Sequence, residues 1–178
     1  MKPAKFDYYC PTDIEEVLDL LAQYGDEAKL LAGGQSLMPM MNMRLARPSI
    51  IIDINRVNGL DYIKACEDRG LSIGAMTRQR AIECSSLVSS LNPLISQAMP
   101  HIGHFQIRNR GTFGGSVSHS DPSAEIPALC RILDAKFTLR SHDGCRTVGS
   151  DEFFITYFTT ALQATEILTE IRFPQLSR

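Results

Sequence analysis

Two glycine pairs carry the clearest chemical pattern in this chain. The first is Ala32-Gly33-Gly34-Gln35-Ser36, which follows a short apolar run. The second is Arg110-Gly111-Thr112-Phe113-Gly114-Gly115-Ser116, again a glycine pair beside hydroxyl residues. Without a Cβ, backbone N–H groups in such turns can converge on an anion, and a following helix adds its positive end. Two such segments could hold the two phosphates of a dinucleotide from either side. Each pair read alone is equally a tight turn in a mixed fold. Neither matches a familiar nucleotide fingerprint, since no G-x-G-x-x-G follows a strand and no lysine completes a P-loop.

Other chemistries find less support. Cys10, Cys66, Cys84, Cys130 and Cys145 are odd in number, and no two are spaced as a CxxC pair. Reduced, structural thiols are expected rather than a disulfide framework or a cysteine metal cluster. His101 and His104 share a face if helical but lack a nearby third ligand, so no metal site is expected. No nucleophile stands beside a general base, and no catalytic residue is assigned. The net charge of −2 leaves no electrostatic footprint for nucleic acid. No apolar run approaches the ~20 residues that span a bilayer, and residues 1–10 lack a signal-peptide core. A cytoplasmic location is therefore expected.

The elements that must position the glycine pairs fall into two groups. Residues 5–8 are extended, and a helix follows over residues 12–24, with Thr12 and Glu15 as a capping box and Gly25 as its stop. A strand over residues 28–32 ends at the first glycine pair. The methionine-rich residues 37–45 predict a short helix whose methionines pack as adaptable core. Residues 49–54, with three consecutive isoleucines, predict a strand buried on both faces. Beyond them, residues 60–65 and 71–75 form a hairpin around Glu67-Asp68-Arg69-Gly70, and Thr77 caps a helix to about residue 85. A helix follows Pro93 to about residue 102. Residues 108–120 show no apolar periodicity. A helix over 124–133, a hairpin of 136–140 with 146–148, a short helix over 151–157 and a last strand over 166–173 complete the chain. At 178 residues this is one domain, or one domain built from two lobes.

The quoted residues resemble a known family. Ala32-Gly33-Gly34-Gln35-Ser36-Leu37-Met38-Pro39, then Arg44-Leu45-Ala46-Arg47-Pro48 and Ile52-Asp53-Ile54, are similar to the first FAD motif of molybdenum hydroxylase flavoprotein subunits. That family includes the medium subunit of aerobic carbon monoxide dehydrogenase and the FAD domain of xanthine dehydrogenase. Ile107-Arg108-Asn109-Arg110-Gly111-Thr112-Phe113-Gly114-Gly115-Ser116, followed by Ser118-His119-Ser120-Asp121-Pro122-Ser123-Ala124-Glu125, resembles the second motif. Ile73-Gly74-Ala75-Met76-Thr77 and Ile82-Glu83 fit the pattern between them, so the resemblance runs over essentially the whole chain.

The resemblance implies an α+β, two-lobed vanillyl-alcohol-oxidase (PCMH-type) FAD-binding fold. Residues 1–56 would form a small βαβ lobe and residues 57–178 a larger antiparallel-sheet lobe with helices. It implies that Leu31, Ala32, Gly33, Gly34, Gln35 and Ser36, with Thr112, Phe113, Gly114, Gly115 and Ser116, wrap the FAD pyrophosphate through backbone amides. Valine at Gly34 or Gly114 would then occupy the pyrophosphate's place and spare the fold. Glu125 would face the FAD sugar, although it could equally favour the start of the following helix. Ile102 and Leu168 would pack on the cofactor. Arg108 and Arg110 would fix the loop or meet a neighbouring subunit. Family subunits continue into a C-terminal domain that is absent from this chain.

The function implied is electron transfer. The domain would take electrons from [2Fe-2S] clusters on an iron–sulfur small subunit and pass them to NAD+, oxygen, a quinone or another acceptor. A large subunit with the molybdenum cofactor would oxidise the organic substrate. Two alternatives differ in class: an assembly module that kept the fold but lost FAD, and a free-standing flavin oxidase, for whose substrate domain the length leaves no room.

Overall fold

The structure is a computed structural model that describes residues 2–176. It begins with β1 (Asp7–Tyr9) and α1 (Ile14–Tyr24). Asp13, rather than Thr12, caps α1: its carboxylate accepts from the Glu16 amide at 3.0 Å. Glu16 Oε2 in turn accepts from the Thr12 amide at 3.2 Å. The expected reciprocal box is present one residue later, which frees Glu15 to pair with Arg140. Val17, Leu18 and Leu21 form the buried stripe of α1. A 3-10 turn, Gly25–Glu27, leads into β2 (Ala28–Leu31), α2 (Leu37–Asn42) and β3 (Ile50–Asp53).

These three strands form a parallel sheet in the order β1-β3-β2. The central strand β3 buries Ile50, Ile51 and Ile52, as a strand covered on both faces must. Of the methionines in and beside α2, Met41 is core and Met43 is 49% exposed, so the expected methionine packing holds only in part.

The second sheet is antiparallel, in the order β4-β5-β10-β6-β7. The hairpin β4 (Ile63–Ala65) and β5 (Leu71–Gly74) starts it. Then come α3 (Gln79–Glu83), α4 (Ser86–Leu91), α5 (Pro93–Ala98) and a 3-10 turn, Met99–His101. Thr77 does not cap α3. Its hydroxyl accepts from the Tyr62 amide at 3.1 Å and donates to the Tyr62 carbonyl at 2.9 Å.

Residues 108–120 are not a loop. They belong to α6 (Phe105–Arg110) and α7 (Phe113–His119), two short helices separated by Gly111 and Thr112. Next come α8 (Glu125–Ile132) and the hairpin β6 (Lys136–Ser141) with β7 (Gly144–Gly149). The helix expected over 151–157 is only α9 (Ser150–Phe153). After it the chain turns back as the small hairpin β8 (Phe154–Thr156) with β9 (Thr159–Thr160). Finally β10 (Ile167–Phe173) runs between β5 and β6.

Two hydrophobic clusters result. The smaller joins the α1 stripe to β3 and takes in Leu60, Met76 and Ile167 from beyond residue 56. The larger fills the second sheet, where Phe113 meets Phe173 edge-on at 6.0 Å and Phe137 meets Phe153 at 4.1 Å. Such aromatic pairs contribute about 0.5–1.5 kcal/mol each beyond area burial. The two sheets are thus joined through shared core. At the surface Arg140 meets Glu15, and His142 Nε2 lies 2.9 Å from Asp19.

Candidate cofactor-binding site

The carboxyl ends of β2 and β3 lie side by side, with Leu31 opposite Asp53. In a parallel sheet this is where ligands bind, since the chain leaving each strand is free to form a loop there. A cleft of about 190 Å³ opens here. Residues 31–35, Met38, Asp53, Asn55 and Arg110 line it.

The first glycine pair is shaped by two constraints. Gly34 has φ of +72°, a left-handed conformation that side chains disfavour. Gly33 lies against the second segment: a Cβ there would sit 2.5 Å from the Arg110 carbonyl oxygen and 2.7 Å from Gly111 Cα. The two glycine segments therefore touch, with Gly115 and Ala32 also in contact range. Among the described residues, the amides of Gly33, Gly34, Gln35 and Ser36 donate to no other group of the protein. Four unused N–H groups on one tight loop, beside the Arg110 guanidinium, suit a phosphate-bearing ligand.

The second pair is built differently: of residues 112–116, expected to present backbone amides, those from Phe113 to Ser116 donate within the protein. Gly114 and Gly115 form the first turn of α7, with Thr112 as its N-cap. The amide of Phe113 donates to the Thr77 carbonyl and that of Gly114 to the Ala75 carbonyl, both at 2.9 Å. The Gly115 amide reaches Thr112 Oγ1 at 3.1 Å, and the Ser116 amide reaches the Thr112 carbonyl at 3.3 Å. Four of the five amides of this segment thus already have acceptors, while the Thr112 amide has none among the described residues. Thr112 and Gly114 are buried, and Phe113 lies fully in the core. Half-buried Gly115 and Ser116 are the part of this segment with surface to offer.

Ile102, 9% exposed, is held by Arg108, whose guanidinium donates to the Ile102 carbonyl at 2.9 Å and pairs with Glu83 at 2.9 Å. Arg108 is thus an internal clamp, while Arg110 faces the cleft. Leu168 is core, opposite Leu139 on β6, so its side chain is committed to packing. Glu125 is the first residue of α8 and half-buried, with no hydrogen-bond partner among the described residues.

Polar residues under the loop were missed by the sequence reading. Asp53 accepts from Tyr8 at 2.5 Å and from the Asn55 amide at 2.9 Å. Burial alone would raise its pKa, but the bonds from Tyr8 and Asn55 and the charge of Arg110 together hold it below the ordinary carboxylate value. Arg78 donates to Asn55 Oδ1 at 2.6 Å and to the Arg110 carbonyl. Its own pKa is lowered, by burial first and by neighbouring Arg110 second. The available signal was positional: Asp53 and Asn55 are the first polar residues after an unbroken apolar strand.

Comparison with known proteins shows the family and the fold. The chain is 44% identical over 176 residues to the 6-hydroxypseudooxynicotine dehydrogenase complex subunit alpha of Paenarthrobacter nicotinovorans, covering 99% of this chain and 59% of that one. It is 42% identical over 178 residues to the carbon monoxide dehydrogenase medium chain of Hydrogenophaga pseudoflava, covering 100% and 62%. A solved structure of carbon monoxide dehydrogenase from that organism superposes with a TM-score of 0.96 over 99% of this chain and 61% of the other. The chain thus spans about 60% of the length of these relatives. The expected α+β PCMH-type fold is the observed one. Residues 4–176 match the family described as "FAD binding domain in molybdopterin dehydrogenase", and the chain belongs to that family.

Proposed function

We propose that the chain carries FAD as the electron-transfer part of a molybdenum hydroxylase-type dehydrogenase. The cofactor would lie between a small lobe, residues 1–56, and a larger lobe, residues 57–178. The observation that carries the reading is the set of unused amides of residues 33–36, on a loop that lines one cleft with Arg110. These amides and the Arg110 guanidinium hold the pyrophosphate, Gly115 and Ser116 offer a small hydroxyl-bearing surface beside it, and the unpaired carboxylate of Glu125 accepts from sugar hydroxyls. When bound, the flavin supplies the redox chemistry, taking electrons singly and giving up one or two. Ile102 and the backbone around Leu168 shape the apolar end.

The partners in this reading are an iron–sulfur small subunit and a large subunit with the molybdenum cofactor, and the acceptor is NAD+ or another oxidant. The names of the relatives, subunits of dehydrogenases, support it and lend nothing to a cofactor-free assembly module. A reducing, cytoplasmic compartment fits the five free cysteines. No described helix is long and apolar enough to cross a membrane.

The test is an absorbance spectrum of the purified chain, with heat-released cofactor identified and counted. About one FAD per chain is expected, read without tryptophan fluorescence in the background. Ser36→Glu provides the control. Ser36 is exposed and makes no side-chain cap bond, so the fold should survive. The added carboxylate should repel the pyrophosphate and weaken FAD by about tenfold or more. Unchanged affinity in this variant would place the pyrophosphate elsewhere.

A further inference from the structure

A loop binds an anion through its amides only if its peptide planes are held. Each peptide is planar and trans, so its C=O and the next residue's N–H point in opposite directions. Fixing the carbonyls of such a loop on one side therefore aims its N–H groups to the other. In this structure the carbonyls of three consecutive residues are fixed. Asn55 Nδ2 donates to the Ala32 carbonyl at 2.8 Å and approaches the Leu31 carbonyl at 3.4 Å, which the Ile54 amide also holds at 3.1 Å. Gln35 Nε2 donates to the Gly33 carbonyl at 3.0 Å. The N–H groups of Ala32, Gly33 and Gly34 are oriented as a result.

Asn55 is itself held on every side. Its Oδ1 accepts from Arg78 at 2.6 Å, its Nδ2 also donates to Asp53 Oδ1 at 2.6 Å, and its backbone amide donates to the same oxygen. These partners settle which end of the amide is which: the oxygen faces a guanidinium and the nitrogen faces a carboxylate and a carbonyl. Arg78 follows the second sheet and also donates to the Arg110 carbonyl, the atom against which Gly33 packs. The small-lobe loop thus takes its shape from a residue of the larger lobe, through one asparagine.

We propose that Asn55, oriented by Arg78, is the positioning residue that turns residues 32–36 into a pyrophosphate loop. The proposal rests on the placement of FAD argued above. Asn55 acts through the carbonyl of Ala32 and, at longer reach, that of Leu31.

The experiment measures FAD and ADP dissociation constants for the purified wild type, Asn55→Ala, Asn55→Asp and Ser36→Glu. Circular dichroism and Tm monitor the fold. Asn55→Asp keeps the size and the Arg78 contact but turns the donor facing the Ala32 carbonyl into an acceptor. Near pH 8 both Asn55 variants should bind FAD and ADP about tenfold or more weakly, by the same factor for each ligand, as expected for a lost bond in an occluded site. Asn55→Asp should regain affinity as pH falls and its carboxyl becomes a donor again, while Asn55→Ala and wild type show no such gain. A merely structural role would lower Tm without this pH signature.

Wild-type affinity in both Asn55 variants, with binding lost in Ser36→Glu, would overturn the positioning role and leave the site in place. So would weaker FAD binding with unchanged ADP binding. Wild-type affinity in Ser36→Glu, or a wild-type chain that binds neither ligand, would overturn the site and the positioning role together.

Discussion

Gly34 and Gly114 look alike in the sequence, each one half or the other of a glycine pair, yet they are glycine for different reasons. Gly34 is required by its positive φ, and a Cβ there would meet only the side chains of Met38 and Leu31. At Gly114 a Cβ would lie 2.6 Å from Ala75 Cβ and 2.7 Å from the Ala75 carbonyl oxygen, because α7 packs its first turn directly on the end of β5. The expectation that a side chain at Gly114 would displace cofactor and spare the fold is corrected: it would push α7 off the sheet. Gly114→Ala should therefore lower stability by about 1–3 kcal/mol, the usual cost of overpacking, and reduce Tm by several degrees. Thermal unfolding of apo protein checks this, because the effect does not need FAD. The arginines show the same limit of sequence reading. Arg108 and Arg110 stand two residues apart, and only the fold assigns one to a buried pair with Glu83 and the other to the cleft. Glu83 lies 25 residues earlier in the chain, so spacing could not have connected them.

The elements legible in advance are those whose pattern is local. The α1 stripe, the triple isoleucine of β3 and both hairpins of the second sheet repeat their periods clearly enough to place strands, helix and turns within three residues. What escaped was α7. A seven-residue helix that contains two glycines has neither the length nor the propensity to form alone. It exists because Ala75 and Thr77, just after β5, supply carbonyl acceptors for its first donors, and because Thr112 supplies another. Since a tertiary site makes this helix, its cap should matter. Thr112→Val removes the hydroxyl acceptor for the Gly115 amide in a residue that is 2% exposed. The expected loss is about 1 kcal/mol in urea unfolding, while Thr112→Ser, which keeps the oxygen, should recover most of it. Equal loss in both variants would show that the methyl packing rather than the cap holds α7. The hairpin β8–β9 was missed for the opposite reason. Its aromatic residues suggest a helix face, but Ile155, Tyr157 and Phe158 are all exposed, and the chain turns at Phe158, whose φ is +56°.

At the scale of the whole molecule, the question is what keeps two sheets of different kind in one cooperative unit. Apolar contact supplies most of it, since Met76 and Ile167 join the core of the first sheet to the second. Ion pairs modulate it, and one of them makes stability depend on pH. Glu166, 8% exposed, sits just before β10 and is gripped by Arg146 through bonds of 2.6 and 2.8 Å, with a third bond of 2.8 Å from the Gln163 amide. The Arg146 bonds hold the carboxyl below its ordinary value of 4.5, against burial, which works the other way. A carboxyl with a depressed folded-state pKa binds protons more readily when unfolded. Its contribution is therefore complete above the ordinary carboxylate range and is lost as pH falls through its folded-state value. Arg146 is 42% exposed, so solvent screens the pair and its worth lies between that of surface and buried pairs, about 1–2 kcal/mol. Glu166→Gln should lower the unfolding free energy from urea titration at pH 7 by that amount, and the gap from wild type should narrow as pH is taken down toward 3. Asp53, depressed in the same direction, keeps its own acid limb in the variant. A constant gap across the range would mean that the cost comes from packing around position 166 and not from the charge. A closing gap would show that protonation of this carboxylate helps to loosen the β10-β6-β7 side of the second sheet in acid.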